Sequence, residues 1–172
     1  MRHAIIVLIA ILAIIHAVMA AAPLLANGYY RIYTGNSHHP PSNRYFTGKT
    51  DASVGSVSLE PNSTSQVWRL RNHSNGQVSL ELRGKEKYYL SAGRSALPGA
   101  NVGVTRTQQR WNIEKFAGGS FTRYTLKYPT QVFNKTLVVS TSTGSVDPKR
   151  VAFQNEETPD VTKAWKFARY KN

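Results

Sequence analysis

The chain is 172 residues long and carries 22 Lys and Arg against 9 Asp and Glu, a formal net charge of +13, with no cysteine. The missing thiol excludes disulfides, iron–sulfur clusters, thiol catalysis and Cys-type zinc sites. So basic a chain is drawn to acidic polymers, anionic cell walls or membrane surfaces, although outward strand positions also take charge for solubility and edge protection.

Met1-Arg2-His3 opens the chain, and an apolar run from Ala4 to Ala22 follows, interrupted only by His16. A basic start, an apolar stretch and small residues at its end describe a secretory signal peptide, with cleavage expected after Ala20. No juxtamembrane basic cluster or second span supports stable membrane insertion. Residues 21–27 then form a short leader and residues 28–172 one domain, long enough for a core without crosslinks. Arg2 leaves with the signal, so the charge falls from +13 to +12.

The mature part reads as short strands separated by Gly, Pro, Asn and Ser turns. The first unit, about 28–70, runs through Tyr30-Arg31-Ile32-Tyr33, Tyr45-Phe46-Thr47-Gly48, Val57-Ser58-Leu59 and Val67-Trp68-Arg69-Leu70. Its first connection, residues 35–43, contains His38-His39-Pro40-Pro41. The proline pair stiffens it, and a stiff loop on a strand scaffold is a natural place for function. Asn36, His38, His39 and Arg44 are therefore candidate ligand-binding residues. No metal is expected there, because adjacent histidines on an extended loop point in opposite directions and no third ligand lies nearby.

The second unit, about 71–116, has Val78-Ser79-Leu80-Glu81-Leu82, then a charged turn at 83–87, Tyr88-Tyr89-Leu90 and Val102-Gly103-Val104. Aligned with Tyr45, Tyr89 is expected in the core and Tyr88 on the surface, where its ring could stack on a sugar. Arg94 and Leu97 are expected to project from the loop at 93–100.

The third unit, about 117–170, has Thr122-Arg123-Tyr124-Thr125-Leu126, Leu137-Val138-Val139-Ser140 and Val151-Ala152-Phe153. Glu156-Glu157 is the one acidic pair and reads as a solvated turn rather than a glycosidase carboxylate pair, since no facing partner exists. Asn62, Asn72 and Asn134 open three N-glycosylation sequons, in keeping with secretion.

Each unit ends on a tryptophan. Trp111 follows Trp68 by 43 residues and Trp165 follows Trp111 by 54. Leu70, Ile113 and Phe167 stand two positions after them, the period of a strand with one buried face. Four strands recur three times, and no mature stretch has a convincing helical period.

Twelve strands in three pseudo-repeats resemble a β-trefoil, an all-β fold. Gln66-x-Trp68 and Gln109-x-Trp111 are similar to the Gln-x-Trp signature of ricin B-type lectin domains, whereas the third repeat has Lys163-x-Trp165. The chain also resembles fungal mycocypin-like β-trefoil protease inhibitors. Gly28-Tyr29-Tyr30-Arg31-Ile32, Leu59-Glu60-Pro61 and Gln66-Val67-Trp68 carry that likeness. The lectin resemblance implies a glycan partner and tryptophans that are structural. Its usual sugar-orienting aspartate has no counterpart among Asp51, Asp147 and Asp160. The inhibitor resemblance implies a protease partner docked on a rigid loop.

No phosphate loop, nucleophile elbow or metal triad is present, so catalysis and cofactors are not expected. Nucleic acid ranks last, for want of a basic, aromatic-interleaved motif. The reading is a secreted, monomeric, non-catalytic glycan-binding protein, with acidic glycans open to it through its charge and protease inhibition as the alternative.

Overall fold

The computed structural model describes residues 22–34, 44–50, 56–60, 65–117, 121–141, 149–158 and 162–171. Among them run twelve strands. The first four are β1 (Gly28–Thr34), β2 (Arg44–Lys49), β3 (Ser56–Glu60) and β4 (Val67–Asn72). Then come β5 (Val78–Leu82), β6 (Tyr89–Ser91), β7 (Gly103–Thr105) and β8 (Asn112–Lys115). The last four are β9 (Tyr124–Lys127), β10 (Leu137–Thr141), β11 (Lys149–Asn155) and β12 (Lys166–Arg169).

The pairings repeat three times. Within each repeat the first strand meets the fourth at a tryptophan: Tyr30 opposite Trp68, Val78 opposite Trp111, Tyr124 opposite Trp165. The fourth strand then pairs with the first strand of the next repeat, through β4–β5, β8–β9 and β12–β1. The last of these returns to the start, so six strands form a closed ring with no free edge between them. The other six form the hairpins β2–β3, β6–β7 and β10–β11.

All three tryptophans are fully buried. An indole N–H in an apolar core needs an acceptor. Each finds it on the second strand of its own repeat: Phe46 O at 3.0 Å, Leu90 O at 3.1 Å and Val139 O at 2.8 Å. Phe46 also meets Trp165 edge-on at 4.4 Å, and Trp111 stacks on Phe153 at 5.9 Å, so rings of different repeats share one core. Leu70 is buried beside them, while Ile113 and Phe167 are half-buried against the same cluster.

Two details of the sequence reading change. The simple alignment of Phe46 and Leu90 with Val138 is one residue out. Val139 accepts the Trp165 bond and lies opposite Phe153, as Phe46 lies opposite Leu59 and Leu90 opposite Val104. Val138 is buried as well, because β10 has both faces covered, and the alternation that would have fixed the register is absent. The second change concerns Tyr45 and Tyr89, which are half-buried on the outer face rather than in the core. Tyr88 is the one that packs partly against the core.

The Gln-x-Trp position also acquires a physical role. Gln66 is fully buried and donates to Thr47 Oγ1 at 3.0 Å and to Glu60 O at 3.4 Å, tying β2 to the chain leaving β3. Lys163 does similar work in the third repeat, donating to the carbonyls of Glu156 and Thr158. Gln109 instead donates to the adjacent Arg110 carbonyl.

Candidate ligand-binding face

Strand β1 divides its residues by the pleat. Tyr30 and Ile32 are buried, and Tyr29, Arg31 and Tyr33 point outward. Neighbouring strands fix what stands beside them: Arg31 lies between Ala168 on β12 and Val67 on β4, and Tyr33 lies opposite Lys166.

These side chains belong to a row of alternating cations and rings. Arg83, in the turn after β5, sits 5.4 Å from the Tyr29 ring and 5.1 Å from the Tyr170 ring. Arg31 lies 5.4 Å from Tyr170 and 5.6 Å from Tyr45. Tyr45 meets Tyr33 at 5.5 Å, and Lys166 bridges Tyr33 at 5.9 Å and Phe121 at 4.3 Å. Three cations and five rings thus form a continuous strip across β12, β1 and β2. Each cation–ring contact is worth about 0.5–2 kcal/mol, more when shielded from water.

The strip gathers its cations among rings rather than carboxylates. Three cations outside it meet carboxylates: Lys49 with Glu60 at 2.7 Å, Arg71 with Glu81 at 3.3 Å, Lys127 with Glu114 at 2.6 Å. Among the described residues no carboxylate pairs with Arg31, Arg83 or Lys166. The rings position these charges without neutralising them. Arg31 Nε is buried with no hydrogen-bond partner among the described residues. Burial, and then the neighbouring Tyr45, push the Tyr33 phenol above its ordinary value, so it stays neutral and able to donate.

The strip can do two things at once. Its cations can hold a carboxylate or sulfate, and its rings can pack against the apolar face of a sugar.

Arg44 lies at the end of this face, opposite Thr34 and next to Tyr45. Asn36, His38 and His39 lie outside the described residues, on the connection between these two strand ends. Tyr88 is not part of the strip. It is half-buried, with Arg106 5.4 Å from its ring and Arg106 Nε donating to its hydroxyl at 3.4 Å. Arg94 is exposed on the turn after β6. Among the described residues no three His, Asp or Glu side chains are grouped to hold a metal ion.

The strip escaped sequence reading because Arg83, Phe121, Lys166 and Tyr170 come from distant segments. The sequence marks only the strand Tyr30-Arg31-Ile32-Tyr33. Of the sequons, Asn62 lies outside the described residues. Asn72 Nδ2 donates to Leu25 O at 2.8 Å and to Asn27 Oδ1 at 2.9 Å. Asn134 is exposed at a turn.

Comparison with solved structures decides the architecture. The Rhizoctonia solani agglutinin superposes with a TM-score of 0.66 at 17% identity, covering 87% of this chain and 100% of that one. A designed threefold-symmetric protein, ThreeFoil, superposes with a TM-score of 0.64 at 18% identity, covering 83% and 99%. The fold is a β-trefoil. A mosquitocidal holotoxin also contains a matching region, with a TM-score of 0.66 and 16% identity over 86% of this chain but only 18% of the toxin. No protein-family model matches the sequence, and no curated protein matches it. At these identities the β-trefoil likeness is one of fold.

Proposed function

We propose that this β-trefoil is a secreted, non-catalytic glycan-binding protein whose outer β1 face takes an acidic glycan. The observation that carries the reading is the strip itself: Arg31, Arg83 and Lys166 stand between aromatic rings with no carboxylate partner among the described residues. A sulfate or uronate would supply the missing negative charge, while the sugar ring packs against Tyr45, Tyr170 or Phe121. The agglutinin with the same fold supports a binding role, and the apolar stretch near the N-terminus supports secretion.

A glycan array with residues 21–172 tests this at two salt concentrations. Binding to acidic glycans should persist at physiological salt and weaken, without vanishing, as salt rises, because ring packing is not screened. Arg31→Gln and Lys166→Gln should each weaken it about 5–20-fold, equivalent to about 1–2 kcal/mol. Binding that disappears entirely with salt, or that ignores both variants, would reduce the strip to a general positive charge. No glycan binding at all would turn attention to inhibition of cysteine and serine proteases.

A further inference from the structure

The connection between β9 and β10 holds a two-residue turn. Val132 and Lys135 exchange backbone hydrogen bonds, each N–H reaching the other's carbonyl at 3.0 Å. Between them Phe133 has φ +50° and Asn134 φ +59°, the two left-handed residues of a type I′ turn. Asparagine adopts this conformation readily. Phenylalanine does not, so the backbone at Phe133 is strained.

Phe133 is also 81% exposed, far more than the other exposed large apolar side chains among the described residues, Leu24 at 48% and Leu97 at 41%. A bare ring on a strained backbone contributes nothing to the core. Its neighbour begins the sequon Asn134-Lys135-Thr136, and the Asn134 amide has no hydrogen-bond partner among the described residues. Asn72 is the opposite case. Both hydrogens on its Nδ2 are donated inside the protein, to Leu25 and Asn27, and a sugar there would displace one of them.

We propose that Asn134 is an N-glycosylation site and that the first sugar of its glycan covers the Phe133 ring. In the attachment step Asn134 Nδ2 loses a proton and forms the bond to the sugar's anomeric carbon. The bond from that carbon to a lipid-linked diphosphate donor breaks, and the lipid diphosphate departs. The apolar C–H face of the attached N-acetylglucosamine then packs on the adjacent ring, removing from water the surface that the fold leaves bare. The proposal rests on the secretion part of the reading above, because the donor is met in the secretory lumen. It is independent of ligand binding at the β1 face.

The test is secretion of the full chain from yeast, followed by glycopeptide mass spectrometry and thermal melts. Asn134 should be occupied and Asn72 bare. Phe133→Ala should lower Tm by about 2–4 °C in the glycosylated protein. That loss should survive trimming to a single N-acetylglucosamine and vanish after complete removal of the glycan. An unoccupied Asn134, occupancy of Asn72 in its place, or the same Phe133→Ala effect with and without sugar would each overturn the proposal. Glycosylation data leave the array result untouched, and loss of glycan binding in Arg31→Gln leaves Asn134 occupancy untouched, so the two readings fail separately.

Discussion

Trp68 donates its indole N–H to the carbonyl of Phe46 across 3.0 Å of buried core. The same bond recurs from Trp111 to Leu90 and from Trp165 to Val139. In each repeat, then, the fourth strand fixes the second by one side-chain bond, and the ring of six strands is tied to its three hairpins. With no cysteine in the chain, no disulfide can share this work. Replacing Trp68 by Phe strands the Phe46 carbonyl and leaves a cavity, which should cost about 2–4 kcal/mol. Trp111→Phe and Trp165→Phe should cost similar amounts in urea unfolding. A loss below about 0.5 kcal/mol at any of the three would show that the bond is incidental in that repeat.

Gly48 allows the first hairpin to lie close against this core. A Cβ built there would come within 2.9 Å of Leu82 Cδ2 and 3.2 Å of Trp68 Cη2. Both neighbours are buried, so neither can swing aside cheaply. Gly48→Ala should therefore destabilise by about 1–3 kcal/mol through overpacking. Gly76→Ala is a poor control, because its φ of +77° strains any side chain even where space is open. A better one is Ser95→Ala, at an exposed loop position. An unchanged denaturation midpoint for Gly48→Ala would refute the close approach.

How much of this was legible beforehand follows from where each signal lies. The tryptophans, the period of two and the turn residues are local, and they specified twelve strands and three repeats. Register was less visible where a strand is covered on both faces: β10 reads Leu-Val-Val-Ser-Thr, all buried, so the repeat alignment slipped by one. The binding strip was nearly invisible. Its residues come from β1, β2, β12, the turn after β5 and the segments around Phe121 and Tyr170. Tyr30-Arg31-Ile32-Tyr33 marks a strand, but only the register with Ala168 and Lys166 shows what its outward side chains meet.

Acid should weaken the fold in two stages. Burial, then the charges of Arg110 and Arg71, hold the His73 imidazole below its ordinary value, and its Nε2 lies 2.9 Å from Ser79 Oγ. A hydrogen bond from Lys49 holds Glu60 low against the opposing effect of burial. Both groups bind fewer protons folded than unfolded, so stability is present above their unfolded values and lost as pH falls through the folded ones. The histidine stage begins as pH drops below about 6.5, and the glutamate stage below about 4.3. His73→Gln should remove the upper stage from a plot of urea midpoint against pH and leave the lower one. Persistence of the upper stage in this variant would assign it to other groups.

Lys127 gives the alkaline counterpart. Its ammonium lies 2.6 Å from Glu114 and 2.8 Å from Glu156 and is only 16% exposed. Glu156, just after β11, is thus an ion-pair partner of Lys127 rather than part of a merely solvated acidic turn, while its neighbour Glu157 is exposed. Burial alone would lower the Lys127 pKa, but the hydrogen bonds and charges of the two glutamates outweigh it and raise it. The contribution is therefore complete below the unfolded lysine value and lost as pH rises through the higher folded one. Lys127→Met keeps the aliphatic stem but leaves two carboxylates facing each other, and should cost about 1–2 kcal/mol near neutral pH. Above about pH 10.4 the wild type should lose stability while this variant does not follow it, so the two curves converge. Parallel curves throughout would show that Lys127 contributes packing and no charge.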